Sequence, residues 1–195
     1  MNKGILAIGR TTAVVALAAS LLACAPGVKV RSDYNPQTDF SALRTFAWLP
    51  IPPQRTGDPR ADSGLLASRV ERSTVAELKA KGFQQVGPNA GPDFFVAFQA
   101  AVDEKVSVQS TPGSYGYRGW WGSPVVMSPQ TTVHQYDVGT LILDIVDTEG
   151  DDLVWRGAGQ AKLRRNDDRS AAERDQAVAD AVKAILAEFP PSEEK

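Results

Sequence analysis

The chain has 195 residues, with 21 Lys and Arg against 23 Asp and Glu, 43% hydrophobic residues, one His and one Cys. A mildly acidic chain with no basic stripe argues against nucleic-acid binding. One cysteine rules out an intramolecular disulfide, and with a single histidine beside it the common zinc ligand sets are out of reach.

The leading segment sets the address. Lys3 and Arg10 precede a charge-free run of 13 residues, Thr11 to Ala23. A spanning helix needs about 20 residues, so the run is too short to stay in a bilayer. It has the layout of a secretory signal, with an ordinary signal peptide or an uncleaved helix as the alternatives. Leu21-Leu22-Ala23-Cys24 resembles a bacterial lipobox, Leu22 being its one departure from the commonest form. The resemblance implies cleavage before Cys24 and lipidation of its thiol by three acyl chains, a firm anchor. Residues 1–23 are then the signal, 24–27 a short tether, 28–191 a single domain and 192–195 a polar tail. The mature chain keeps 172 residues, 19 of them basic and 23 acidic, for a net charge of −4. Alanine at position 25, where aspartate tends to hold bacterial lipoproteins at the inner membrane, implies by the same resemblance the outer membrane, facing the periplasm. An extended chain covers at most about 3.6 Å per residue, so the tether holds the domain within roughly 15 Å of lipid.

Val28 to Asp33 alternates and predicts a strand. Asp39 to Leu43 suits a short turn of helix, and Thr45 to Leu49 is rich in strand formers. Pro50, Pro52, Pro53, Gly57 and Pro59 mark a loop. A helix is expected from about Asp62 to Lys81, capped by Asp62 or Ser63, with Leu66, Val70 and Leu78 on one face and Gly82 at its end. Asp93 to Gln109 is the longest strand, with Phe94, Val96, Phe98, Ala100, Val102, Val106 and Val108 on one side. Thr131 to Asp147 is a second long strand, and Leu153 to Arg156 restarts after a turn, giving a β-meander. Ser170-Ala171-Ala172-Glu173 is a capping box opening a helix with Val178, Ala181, Val182, Ile185, Leu186 and Phe189 as its apolar stripe. The fold class is α+β: one antiparallel or mixed sheet with both helices packed on it in two layers.

Tyr34-Asn35-Pro36-Gln37-Thr38-Asp39-Phe40-Ser41 with Thr45-Phe46-Ala47-Trp48, then Gly139 to Asp144, Leu153 to Gly157, and Phe189-Pro190-Pro191 form four blocks in order. Together they resemble a bacterial lipoprotein family catalogued as domain of unknown function 4136. The resemblance spans nearly the whole mature chain. It implies an envelope lipoprotein with an α+β domain and carries over no catalytic residue. On the residues themselves, Trp48 and Trp155 read as core aromatics with a polar edge. Gly157 and Gly159 in a strand suggest a bulge or the close approach of a helix.

No catalytic set emerges. His134 would have to serve any Ser-His-Asp site, yet no Gly-x-Ser-x-Gly elbow exists and His134 sits in a strand pattern. Asp147, Glu149, Asp151 and Asp152 lack the spacing of a calcium loop and read as a solvated turn, as Asn166-Asp167-Asp168 reads as a polar approach to a helix. Gly113, Gly116 and Gly119 do not form a phosphate cradle. No metal site and no cofactor is expected. The stretch from about Ser110 to Gln130 reads as a long loop and the best candidate for function. It carries Tyr115, Tyr117, Arg118, Trp120 and Trp121, residue types favoured at interfaces and at membrane boundaries; burial of these aromatics against the sheet edge is the bland alternative. The leading expectation is a non-catalytic envelope lipoprotein, not an enzyme, binding a protein or envelope component at the membrane surface. A carrier of a small hydrophobic or lipid ligand is the alternative. A hydrolase using Asp144 and Asp147 comes last, because three residues apart on one strand puts them on opposite faces.

Overall fold

The computed structural model describes residues 27–50, 55–111, 115–118, 123–126, 130–149, 152–164 and 167–191. The strand β1 (Lys29–Tyr34) is followed by β2 (Thr45–Trp48), α1 (Gly64–Ala80), β3 (Gln84–Gln85), β4 (Phe94–Thr111), β5 (Tyr115–Arg118), β6 (Ser123–Val126), β7 (Gln130–Asp147), β8 (Leu153–Leu163) and α2 (Ala171–Leu186). Six strands form one sheet in the order β1-β8-β7-β4-β2-β3, and β5 pairs with β6 separately. The sheet is mixed: β2 runs parallel to both β3 and β4, and the other ladders are antiparallel. The expected meander is β4-β7-β8.

Both helices lie on one face of this sheet, and they bury the residues that period-two and helical spacing select. Phe46, Phe94, Val96, Leu143, Ile145 and Trp155 from the strands meet Val70 and Leu78 of α1 and Val182, Ile185 and Leu186 of α2. Burying each such side chain stabilises the fold by about 1.5–3 kcal/mol before chain entropy is counted. Phe189 stands at the centre of an aromatic cluster, with ring centroids 5.2 Å from Trp155, 5.6 Å from Phe83, 5.9 Å from Phe94 and 6.0 Å from Phe40.

Gly157 and Gly159 mark the close approach of a helix. A Cβ on Gly157 would run into the Trp155 ring and Ile185 of α2, and one on Gly159 would lie 2.9 Å from Ile185. The irregularity between β7 and β8 sits elsewhere, at Ile145 and Val146. The strand β8 can therefore be approached closely by α2 because it lacks side chains where they cross.

Several local expectations need correction. Asp39 to Leu43 is a turn, closed by the Ala42 amide on the Asp39 carbonyl (3.2 Å), because Asp39 also ties up Ser41. Ser63 holds the N-cap position of α1 but makes no side-chain cap bond. Asp62 instead accepts from the Thr56 and Gly57 amides at 2.8 Å, closing the loop that precedes the helix. Gly82 ends α1 as expected, with φ +96°, and the short β3 that follows has no counterpart in the sequence reading. The capping box of α2 is formed: Ser170 Oγ accepts from the Glu173 amide at 3.2 Å and Glu173 accepts from the Ser170 amide at 2.7 Å. Trp155 is 1% exposed and Trp48 packs edge-on against Phe98, yet neither indole Nε1 has a hydrogen-bond partner among the described residues.

Candidate functional site

The two central strands outrun the sheet. β4 and β7 pair over 18 residues each, from Phe94 opposite Asp147 to Thr111 opposite Gln130. β8 leaves β7 at Asp137, and β2 follows β4 only as far as Val96. From Lys105 and Tyr136 outward, no other described strand flanks the pair, which continues as a two-stranded ribbon. Seven residue pairs at about 3.4 Å each carry it roughly 24 Å beyond the body. From Lys105 to Ser110 and from Thr131 to Gln135 its side chains are exposed on both faces. Val106, Val108 and Val133 are 56%, 62% and 57% exposed, although they continue the row that is core at Phe94 and Val96.

Every described residue of the expected long loop is in a strand. Its outer part contains β5 and β6, paired from Tyr115 opposite Val126 to Arg118 opposite Ser123. Gly116 sits inside that ladder opposite Val125. Of Tyr115, Tyr117 and Arg118 only the backbone pairing is described, and Trp120 and Trp121 lie outside the described residues, as does Cys24.

The base of the ribbon is fastened to the helical layer. Arg60, in the loop before α1, bonds Asp137 at 2.7 Å and Asp58 at 2.8 Å. Its guanidinium is held more basic than usual, first by Asp58 and then by Asp137. The direction of β1 places the lead-in segment at the same end. Lys29 stands opposite Gln160, which pairs with Thr140, which pairs with Ala101. The first described residue, Gly27, therefore enters the sheet at the end from which the ribbon leaves.

The other expected chemistry is dispersed. His134 is exposed on the ribbon, in register with Ser107. Asp144 and Asp147 point to opposite faces of β7, and Asp144, 5% exposed, is held by Arg156 through a two-pronged ion pair of 2.6 and 2.8 Å. A cavity of about 360 Å³ lies between the 37–43 turn and the β7–β8 connection, lined by Thr38, Asp39, Asp93, Asp147, Thr148 and Glu149 among others. Its lining mixes polar and apolar groups, and two of its carboxylates serve the fold. Asp93 accepts from the Thr45 and Arg44 amides at 2.7 and 2.8 Å, and those bonds hold its pKa below the usual carboxylate value. Asp39 is lowered in the same way by Ser41. Among the described residues no group of His, Cys, Asp and Glu could hold a metal ion, and no helix is long and apolar enough to cross a membrane.

Sequence reasoning missed the ribbon as an object. The signal was available: two strands of 18 residues stand beside neighbours of 11 and 4 residues, so their outer ends must run without company.

The chain is similar to several solved structures. A PDZ domain protein from Parabacteroides distasonis is 14% identical over 86% of this chain, with a TM-score of 0.52; the chain spans only 37% of that protein. A DUF4136 family protein from Bacteroides thetaiotaomicron is 16% identical, covering 84% of this chain and 96% of its own, with a TM-score of 0.46. The PelC dodecamer of Paraburkholderia phytofirmans is 12% identical, with 82% and 95% covered and a TM-score of 0.42. No curated protein matches the chain. The sequence model described as "Domain of unknown function (DUF4136)" matches residues 30–191, which takes in all four sequence blocks and the whole sheet with its two helices, and the chain belongs to that family.

Proposed function

We propose that the protein is a non-catalytic lipoprotein of the bacterial envelope, fastened to the outer membrane by lipid on Cys24, that engages an envelope protein through its ribbon at the bilayer surface. One observation carries this reading: the ribbon and the lead-in to β1 leave the body at the same end. A tether of four residues keeps that end against lipid, so an arm of roughly 24 Å works within the headgroup layer or just above it. The stretch of chain between β4 and β7 carries Tyr115, Tyr117, Arg118, Trp120 and Trp121, residue types that dominate interface energies.

A photo-reactive residue at position 120, introduced in living cells of the native host, should trap one discrete partner other than this chain. The same residue at the exposed Glu71 on α1 should not. Trapping nothing from 120, or only a second copy of the chain, overturns the reading. Mass spectrometry of the mature N-terminus tests the anchor: an acylated Cys24 is expected, and a free thiol behind an intact leader defeats it.

A further inference from the structure

We propose that the outer edge of β4 pairs antiparallel with the same edge of a second copy, giving a two-fold dimer centred on Glu104. This pairing stands apart from the role assigned to the stretch between β4 and β7.

The edge is defined by where β2 stops. Leu49 donates its amide to the Val96 carbonyl at 2.9 Å, the last described backbone bond on that side of β4. The peptide groups of Val96 therefore face outward, and with a period of two so do those of Phe98, Ala100, Val102, Glu104, Val106, Val108 and Ser110. From Ala97 to Thr111 the described residues supply no strand to meet them. A long open edge is a template for another strand, and the natural occupant is one of equal length and matching phase.

The register follows from the strand itself. Two strands related by a two-fold axis normal to the sheet pair residue i with residue j on the same face, so the sum of their numbers is even. Pairing the whole open edge, 97 with 111, sets that sum to 208. Asp103 then faces Lys105 of the second copy, twice by symmetry, and Val102 faces Val106, again twice. Ala100 faces Val108. The neighbouring registers lack these opposed pairs. A sum of 206 sets Asp103 against Asp103, and a sum of 210 sets Lys105 against Lys105, each a like pair of the kind that destabilises a ladder. The favoured register likewise sets Glu104 against Glu104 on the axis, but it alone adds two opposed pairs, Asp103 with Lys105. The pairing also covers Val106 and Val108, which are more than half exposed in one copy.

Cys24 is the chain's one cysteine, so site-directed disulfides report the register directly. In the full chain carrying Cys24→Ser and held in detergent, Glu104→Cys should form a disulfide dimer on mild oxidation. Ser110→Cys should not, because two copies of residue 110 lie about 40 Å apart in this register. Sedimentation of the disulfide-free chain gives the independent check. Asp103→Lys should weaken the dimer about tenfold, and adding Lys105→Asp should restore it. A monomer at roughly 100 µM, cross-linking at 110 equal to that at 104, or failure of the double exchange to restore association overturns the proposal.

Discussion

Gly157 is a residue whose value lies in what it lacks. It faces Leu143 in the ladder and sits beneath Ile185, with the Trp155 ring beside it. A methyl group there meets two fully buried neighbours at once, and neither is a flexible chain end. Gly157→Ala should cost about 1–3 kcal/mol through overpacking, read as a lower thermal midpoint. Gly139, whose added Cβ would meet only the tip of Leu163 at 3.0 Å, should tolerate alanine far better. Equal losses at the two sites would show that α2 does not seat on β8 in this way. Asp93 works by what it accepts. Its carboxylate takes two backbone amides at the turn into β2, and its own amide bonds the Thr45 carbonyl and hydroxyl at 3.0 Å. Asp93→Ala should lower stability by about 1–3 kcal/mol. Asp93→Asn keeps one acceptor oxygen and should recover part of the loss; no difference between the two in urea midpoint would remove Asp93 from this role.

At the scale of elements, what the sequence discloses depends on how local the cause is. The start of α2 is legible to the residue because its capping box lies within four residues, but its end is not: the helix stops at Leu186, and Phe189, read as part of its stripe, lies beyond it. Its neighbour α1 is legible in extent but not in its start, because Asp62 is spent on the Thr56 and Gly57 amides and only the folded loop shows that. The family blocks read as core, and they are: Phe40, Phe46, Trp155 and Phe189 come from three of them and meet in one cluster. The ribbon shows only when the strands are compared in length. Period two in β4 continues past Val102 without a break, and nothing in the strand announces that β8 and β2 have ended. Its independence from the core gives a test. Replacing Val106 to Gln135 with Asn-Gly joins Lys105 to Tyr136, an opposed pair whose peptide groups face each other, through a two-residue turn of the favoured type. The excised chain should keep its thermal midpoint to within about 4 °C, because no core residue is removed. Loss of cooperative melting would mean that the ribbon is part of the fold.

For the whole molecule, the carboxylates that close loops and start helices set the response to acid. Asp58 is held below the usual value chiefly by Arg60, Asp62 by the Thr56 amide, Asp93 by the Thr45 amide, Asp167 well below it by Arg169, and Glu173 by the Ser170 amide. The direction is the same throughout, so the contributions add in sign. In the unfolded chain these groups take up protons near pH 4. In the folded chain they do so only at lower pH. Between the two the unfolded state binds more protons, and stability rises with pH there. Above about pH 5.5 the contribution is complete and flat; it falls away as the pH drops through the folded values. Because most of these groups are exposed, each one adds little, and the effect is a slope spread over many positions. The urea midpoint should therefore hold steady from about pH 6 to 7.5 and decline below about pH 4. Asp93→Asn should shallow that decline, since the substituted group no longer titrates while its amide partners remain. A midpoint that rises on acidification would mean that these carboxylates are not held in their charged form by the contacts described, and with that the closure of β2 on β4 and the start of α2 would need another account.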